Sequence, residues 1–346
     1  MLAFTPVPGS RGTAGENRET TVTVFTRRRA VVFGLSTTAL PSSLRAQPAW
    51  PTGPVTFVVG YAPGGSNDIN ARELAALMSP ILGQQIIVDN KAGANGSLGL
   101  RVVAGAKPDG YTLSYTSAQT IVVNPWVQKG MIDTLTTLLP ICQTTDYQYV
   151  LVANPKVPAN TAAELVALAR REPGKLTYSS AGIGSGNHLA GALFTEAAGI
   201  DVTHVPYRGT GPALADTMSG IVTMNFSSLP PAVPQVKVGN LKALAVTGDH
   251  RISSLPDVPT LKEQGIDAVI TGWHGLFAPA GTPDALLDTI ARHAKRAMMD
   301  PKWAAAMAKD GVESPPERTR AEWARYIADE HAFWGKKLKT LKVELD

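Results

Sequence analysis

Two glycine-rich turns carry the residue types that could hold a ligand. The first, Gly64-Gly65, lies between a short β-branched run and a helical pattern, and the neutral donors Ser66 and Asn67 follow it. The first N–H groups of a helix lack partners and carry partial positive charge, so this turn can hold a carboxylate without Lys or Arg. The structural alternative is a plain strand–helix turn capped by Asp68, which could also contact a cationic part of a ligand.

The second turn, residues 181–187, has glycines at every other position from Gly182 to Gly186. Three polar side chains surround it and are candidate ligand contacts: Ser180, Ser185 and His188. His188 falls just inside a predicted helix, where it could donate to a carboxylate or satisfy a backbone carbonyl. Both interpretations remain open from the residues alone.

Neither turn matches a nucleotide-binding motif. Ser66 stands where a P-loop requires its phosphate-binding lysine. In the second turn, the third glycine of a dinucleotide fingerprint falls one residue early, at Gly186, and Asn187 occupies its place. We therefore predict no nucleotide cofactor.

Catalytic and metal motifs are also missing from the sequence. Gly184 and Gly186 flank Ser185 directly, so the Gly-x-Ser-x-Gly elbow of hydrolases is absent. The six histidines show neither His-x-His nor His-x-x-x-His spacing, and Cys142 is the single cysteine. We predict a protein that is not an enzyme and holds no metal. An exported hydrolase or esterase with a convergent Ser-His-Asp triad is the alternative.

Strand-like and helix-like segments alternate from Trp50 onward, which is typical of βαβ units. Strands are predicted at 55–59, 85–88, 111–116, 149–153, 176–179, 201–205, 222–226 and 242–246. Helices are predicted at 67–79, 95–106, 161–171, 189–198 and 211–219. The helical tail from 283 to 345 contains Trp303, Trp323 and Trp334, which we expect to anchor the core. This order predicts an α/β fold with two lobes, each a mainly parallel sheet flanked by helices.

The positive charge is concentrated at the N-terminus. Six of the 32 Lys and Arg residues, but two of the 28 Asp and Glu residues, lie within residues 1–47, so the net charge of +4 belongs to this segment. The neutral remainder argues against nucleic-acid binding. A charged segment at 26–29 (TRRR), an apolar stretch at 30–40 and small residues before Ala46 predict an export signal cleaved near residue 46, with twin-arginine export as an alternative to the general route.

The chain resembles the Bug-type extracytoplasmic receptors of tripartite tricarboxylate transporters. The matching motifs run in order along the sequence: 61–68 (YAPGGSND), 88–96 (VDNKAGANG), 107–112 (KPDGYT), 182–189 (GIGSGNHL), 204–209 (HVPYRG), 211–214 (GPAL), 241–247 (LKALAVT), 255–260 (LPDVPT) and 273–283 (WHGLFAPAGTP). The resemblance implies a flytrap (type II periplasmic-binding-protein) fold. Lobe 1 would comprise 48–148 and 273–346, lobe 2 would comprise 149–272, and 1–47 would be the leader.

The same resemblance implies a ligand site formed by both lobes. The implied contacts, with Ser66 as an added neutral donor, are Tyr61, Pro63, Gly64, Gly65 and Asp68 in the first loop, Ser117, Ala118 and Gln119 after the third strand, and Ser180, Gly184, Ser185, His188 and Tyr207 from the opposite lobe. The chain departs from the family at His274, where an aromatic Tyr is common, so we expect a more polar or pH-responsive cleft. Ser227 and Ser228 are expected to add hydroxyl donors.

The resemblance also implies partners and a location. The expected ligand is a small carboxylate, and the expected protein partners are a large and a small membrane subunit of a transporter, with a two-component sensor kinase as the alternative. We expect a periplasmic monomer.

Overall fold

The structure, a computed structural model, describes residues 50–341. The predicted leader, with its charged segment at 26–29 and its cleavage site near Ala46, lies outside these residues. The described part of the chain contains nine strands: β1 (Val55–Val59), β2 (Ile86–Asn90), β3 (Thr112–Ser117), β4 (Leu138–Ala153), β5 (Thr177–Ser180), β6 (Thr203–Pro206), β7 (Met224–Ser228), β8 (Lys242–Val246) and β9 (Thr271–Pro279).

Helices follow most of the strands. Within residues 50–341 they are α1 (Ser66–Leu82), α2 (Ser97–Ala104), α3 (Ala118–Val122), α4 (Asn124–Val127), α5 (Thr134–Thr137), α6 (Ala162–Arg171), α7 (Gly186–Ala198), α8 (Thr210–Ser219), α9 (Leu229–Lys237), α10 (Asp284–Met298), α11 (Pro301–Asp310) and α12 (Arg320–Lys337). None of these described helices has the length and apolar character needed to cross a membrane.

Two sheets share the long strand β4. The first sheet has the order β2-β1-β3-β9-β4. In the second sheet, β4 pairs with β7 and β8, and β5 connects β7 to β6. Strand β4 pairs with β9 as far as Gln148 and with β7 from Tyr149 onward. A single continuous strand therefore passes from one sheet into the other.

The predicted α/β architecture is present, but the sheets contain more antiparallel pairing than the mainly parallel sheets that the sequence predicted. The parallel pairs lie among β1, β2 and β3 and among β5, β6 and β7. Helical crossovers connect strands within these groups, as parallel pairing requires. All pairings of β4 and β9 in residues 50–341 are antiparallel, so parallel and antiparallel pairings are equal in number there.

Helix α1 shows how local sequence sets the elements that border the site. It begins after the extended residue Gly65 and ends at Gly83, whose φ of 65° is the left-handed conformation that glycine tolerates best. Leu74 and Met78, four residues apart, are buried on the face that packs on the first sheet. The predicted end at residue 79 is wrong, because the helix accommodates Pro80 in its last turn.

The tryptophans of the C-terminal helices are core residues, as predicted. Trp303, Trp323 and Trp334 are all buried. The ring of Trp323 meets that of Trp273 on β9 edge-on, with 4.6 Å between centroids. The indole of Trp273 in turn donates to the Glu330 carboxylate at 2.5 Å. These contacts fix helix α12 against the first sheet.

A partly buried carboxyl group lies on β4 close to its passage between the sheets. Asp146 exchanges two backbone hydrogen bonds with Glu313, and its side chain accepts a hydrogen bond from the Gln143 amide at 2.7 Å. Burial raises the pKa of Asp146 to about 6, an effect that Arg318 opposes and Glu330 and Glu313 reinforce. The folded protein therefore binds this proton more tightly than the unfolded chain does.

This pKa shift predicts that ionised Asp146 lowers the stability of the folded protein in a pH-dependent way. Because the folded-state pKa lies above the unfolded value, the free energy of unfolding falls as pH rises from about 4 to about 6, by up to about 3 kcal/mol. Asp146→Asn removes the charge, so its stability relative to the original protein should increase across that range. Urea unfolding of both proteins from pH 4 to pH 8 measures the difference, with Asp267→Asn at an exposed site as the control. A variant no more stable than the original protein at pH 8 contradicts the argument.

Candidate functional site

A small cavity lies where the two sheets meet. Its volume is about 20 Å³, about that of one water molecule. Residues from both halves of the fold line it: Tyr61, Gly65, Ser66, Asn67, Ser117, Gln119 and Tyr147 from the first sheet and its connections, and Tyr149, Ala181, Ser185, Gly186, Asn187, Thr210 and Ser228 from the second. The two glycine-rich turns thus face one cavity.

The cavity wall is polar and uncharged. Its lining side chains are hydroxyls, phenols and amides, with glycines and one alanine between them, and no Lys, Arg, Asp, Glu or His belongs to that set. Serine or threonine hydroxyls come from five of the lining positions. Such a wall offers many hydrogen-bond donors, so an anion bound here would be held by neutral groups.

Helix N-termini from both sheets point at this cavity. The backbone N–H groups of Ser66 and Asn67 open α1, and those of Gly186 and Asn187 open α7. None of the four N–H groups has an acceptor within residues 50–341. The N-terminal residues of α8 and α9 lie at the same cavity, through Thr210 and the capping position Ser228. Free donors and helix dipoles together make a site for negative charge.

Two side-chain atoms of the cavity wall are buried without a partner. Neither Oδ1 of Asn67 nor Oγ of Ser228 has a hydrogen-bond partner within the described residues. Asn67 and Ser228 are 8% and 2% exposed. A buried polar atom left unbonded costs about 1–3 kcal/mol, so a ligand that bonds to these groups recovers that free energy.

Three tyrosines on the wall act as neutral donors. Tyr61 bonds Thr120 at 2.7 Å and Asn95 at 2.8 Å. Tyr149 donates to Gln119 at 3.1 Å, and its ring meets that of Tyr147 edge-on. Burial raises the pKa of all three phenols, so they stay protonated at physiological pH.

His274 lies beneath the cavity rather than on its wall. It is fully buried between two tyrosine rings. Its Nδ1 lies 2.8 Å from the Thr145 hydroxyl, and its Nε2 lies 3.3 Å from Ser66 Oγ. Burial lowers the pKa of His274 to about 3, so the ring is neutral near pH 7. The expected pH-responsive cleft is therefore absent at this residue, and His274 instead positions Ser66.

The structure brings six of the predicted contacts onto the cavity wall: Tyr61, Gly65, Ser66, Ser117, Gln119 and Ser185. The other eight do not line it: Pro63, Gly64, Asp68, Ala118, Ser180, Gly184, His188 and Tyr207. Whether any of the fourteen binds a ligand stays a prediction. Ser228 lies on the wall as expected, while Ser227 bonds the carbonyl of Ser228.

The polar residues behind the wall have structural roles. Asp68 accepts from the Gly64 N–H at 3.0 Å and pairs with Arg72 at 2.8 Å. His188 accepts from the Gly184 N–H at 3.0 Å through Nδ1. Tyr207 donates to the Asp216 carboxylate. Asp68 thus stabilises the first glycine turn, as the structural alternative proposed.

Ser180 and His204 form the pair most similar to catalytic machinery. Ser180 Oγ lies 2.6 Å from His204 Nε2. Burial, with a smaller contribution from the stacked ring of His188 4.0 Å away, lowers the pKa of His204 to about 3. No carboxylate among the described residues contributes to this shift. An imidazole this weakly basic is a poor general base at neutral pH.

The wall residues that were not among the predicted contacts lie on β4, in the second glycine turn and at helix starts. They are Tyr147, Tyr149, Ala181, Gly186, Asn187 and Thr210. Tyr147 and Tyr149 lie two residues apart on β4. A prediction that β4 passes from one sheet into the other would therefore have indicated both. The described residues contain no group of three or more His, Cys, Asp or Glu arranged to hold a metal ion.

Comparison with known proteins defines the class first. A solved structure of a periplasmic transporter is 36% identical, with a TM-score of 0.83, covering 86% of this chain and 100% of its own. The periplasmic binding protein BugD is 32% identical, with a TM-score of 0.82, covering 85% of this chain and 99% of BugD, so the fold is that of a two-lobed solute-binding protein. A family profile described as "Tripartite tricarboxylate transporter family receptor" matches residues 70–343. Protein BugT of Bordetella pertussis is 33% identical over 316 residues, covering 90% of this chain and 96% of BugT. The chain belongs to this receptor family, whose members are solute-binding proteins.

Two similar structures contain a bound carboxylate. An R. palustris protein with adipate is 30% identical, with a TM-score of 0.82, covering 85% of this chain and 99% of its own. MatC of Rhodopseudomonas palustris with bound malate is 30% identical, with a TM-score of 0.79, covering 83% of this chain and 99% of MatC.

A substitution at Gly186 tests how closely the N-terminus of α7 packs against its neighbours. A Cβ built there lies 1.7 Å from the Tyr149 hydroxyl and 3.0 Å from Gln119. Gly186→Ala must therefore displace either the first turn of α7 or the buried Tyr149 side chain, and we expect it to lower the free energy of unfolding by about 1–3 kcal/mol. Urea unfolding measures the loss. Gly53→Ala is the matched control, since its Cβ meets nothing within 4 Å. Equal stability of the two variants would refute the packing argument.

Proposed function

We propose that this protein is an exported receptor that captures a small organic carboxylate between its two lobes for a tripartite tricarboxylate-type transporter. The observation that carries the proposal is the set of four free N–H groups, two from each side, at a cavity with no charged side chain on its wall. Adipate and malate in two similar structures support a small carboxylate as the ligand.

Binding requires the lobes to separate and close. A cavity of about 20 Å³ is far smaller than a dicarboxylate of malate or adipate size. We place the lobe boundaries where the sequence predicted them, with 48–148 and 273–346 in one lobe and 149–272 in the other. The chain leaves the first sheet at Gln148 on β4, which matches the boundary between 148 and 149. Strand β9 begins at Thr271, next to the boundary between 272 and 273. A ligand touching both lobes stabilises the closed state through its greater affinity for it.

The geometry favours binding over turnover. The cavity wall supplies neutral donors, and its phenols have raised pKa values that suit hydrogen bonding more than proton transfer. The Ser180–His204 pair lacks a basic imidazole near pH 7. We therefore propose a receptor without enzymatic activity, exported to the periplasm, that delivers its ligand to a large and a small membrane subunit.

A thermal-shift screen tests the proposal. The purified protein is unfolded, dialysed and refolded to remove bound solutes, and then heated with mono-, di- and tricarboxylates, amino acids and neutral polyols. A ligand at about 100 times its Kd adds about 2.7 kcal/mol of stability. Stabilisation by a carboxylate, but not by its amide, is the expected result. Stabilisation by polyols alone, or by nothing in the panel, contradicts the proposed ligand class.

Ser228→Ala separates binding from stability. Because the Ser228 hydroxyl is buried without a partner, its removal should leave the free energy of unfolding unchanged or raise it by about 1 kcal/mol. If the hydroxyl donates to the ligand, affinity for the carboxylate selected by the screen should fall about ten-fold. Calorimetric titration and urea unfolding measure the two quantities.

The neighbouring serine is the matched control for this substitution. Ser227 is also buried, and its hydroxyl donates to the Ser228 carbonyl at 2.9 Å. Ser227→Ala should lower stability by about 1 kcal/mol and leave ligand affinity intact. Unchanged affinity in Ser228→Ala would show that this hydroxyl does not contact the ligand.

The affinity for the carboxylate should not depend on pH near neutrality. Burial raises the pKa values of the wall tyrosines and lowers that of His274 to about 3, so none of them titrates between about pH 6.5 and about pH 8.5. Calorimetric titration across that range should give one Kd within error. A Kd that changes ten-fold there would show that a titrating group touches the ligand.

A further inference from the structure

A second, larger cavity lies on the far side of the first sheet's β4 strand, among the C-terminal helices. Its volume is about 540 Å³, within the range of sites for small organic molecules. Helices α10, α11 and the start of α12 border it together with the loop at 314–318. It shares no lining residue with the cavity between the sheets.

The inner wall of this cavity is apolar, with two polar atoms left unbonded. Ala291, Met298, Met299, Pro315 and Pro316 supply apolar surface, and the buried side chains of Ile141, Trp303 and Trp323 lie behind it. Both tryptophans are 1% exposed, and the indole N–H of each has no acceptor within the described residues. Neither indole nitrogen is accessible from the cavity, so the wall recognises a ligand through apolar contact rather than through these donors.

The rim of the cavity carries excess positive charge. Four cations stand there, Arg292, Lys295, Arg318 and Arg320, against two carboxylates, Asp288 and Glu317. Arg320 pairs with Asp284 at 2.8 Å, just outside the rim, and with Asp288 at 3.0 Å, and Lys295 pairs with Glu317 at 2.8 Å. Neither Arg292 nor Arg318 makes an ion pair with another described residue. Arg292 is exposed and bonds Thr289, which leaves its charge available at the mouth.

We propose that this cavity is a second binding site, specific for an amphipathic organic anion with an aromatic or branched aliphatic body. The apolar wall buries the body, and Arg292, which makes no ion pair with another described residue, attracts the charge at the mouth. The site stands independently of the carboxylate proposed between the lobes, because the two cavities have separate walls. The protein would then bind two solutes of different character.

Calorimetric titration of the refolded protein with 2-naphthoate tests the site, with adipate present throughout to occupy the cleft between the lobes. Ala291→Trp fills the cavity and should weaken 2-naphthoate binding more than about ten-fold. Ala285→Trp is the matched control, since Ala285 lies on the exposed side of α10 and not on the cavity wall. Equal binding by the two variants overturns the proposal, as does the absence of any 2-naphthoate binding.

The charge of the rim has its own test, which does not depend on a core substitution. Arg292→Gln should weaken 2-naphthoate binding about three-fold, as expected for one exposed charge, and should leave binding of neutral 2-naphthamide unchanged. Arg296→Gln, one turn along the same exposed face and away from the cavity, is the control. Equal losses from both arginine variants would assign the effect to general charge and overturn the specific role of the rim.

The orphaned indoles supply a direct structural signal. Titration of ¹⁵N-labelled protein with 2-naphthoate should shift the Nε1–H resonances of Trp303 and Trp323, assigned through Trp303→Phe and Trp323→Phe. Shifts confined to other tryptophans would place the ligand elsewhere and overturn the proposal. A concentration-dependent dimer that Ala291→Trp disrupts would also overturn it, by showing that the cavity receives a second copy of the chain.

Discussion

The first turns of α1 and α7 bring unpaired N–H groups to one small cavity from opposite sides. The strands and helices around them hold those turns in place. An N–H group buried without an acceptor is costly. The four donors of Ser66, Asn67, Gly186 and Asn187 share this position with the partnerless atoms of Asn67 and Ser228. The four N–H groups and the Ser228 hydroxyl are satisfied when they donate to an anion, which makes ligand binding and closure parts of one process. Asn67 Oδ1 is an acceptor and needs a donor, such as a ligand hydroxyl or a water molecule.

The topology explains why these groups come together. Strands β1, β5, β6 and β7 each run toward the cavity and are each followed by a helix. Ligands in α/β sheets sit beyond the carboxyl ends of the strands, where helix N-termini gather. Strand β4 supplies the rest, because it carries Tyr147 into the first sheet and Tyr149 into the second. Two phenols from one strand thereby reach the same cavity on either side of the passage between sheets.

Much of this arrangement is predictable from the sequence, and the failures have physical causes. The glycine turns, the strand–helix alternation and the buried tryptophans of the tail all follow from local pattern. The sequence did not predict the first half of β4 or any of β9. In β4, the stretch Gln143-Thr-Thr-Asp-Tyr-Gln148 is polar, and such a composition is typical of a loop. These residues are buried by contact with distant segments, including Arg318 and His274. His274 likewise suggested a responsive cleft, whereas burial beneath Ser66 makes it a neutral support.

The most direct test of the account is a crystal structure of the protein with the carboxylate that stabilises it most. The account predicts a carboxylate group between the two sheets, with its oxygens about 2.7–3.1 Å from the backbone N–H groups that open α1 and α7, and no Lys or Arg side chain in contact with it. A carboxylate held by an arginine or lysine side chain, or bound on one lobe without reaching the other, would contradict the central claim.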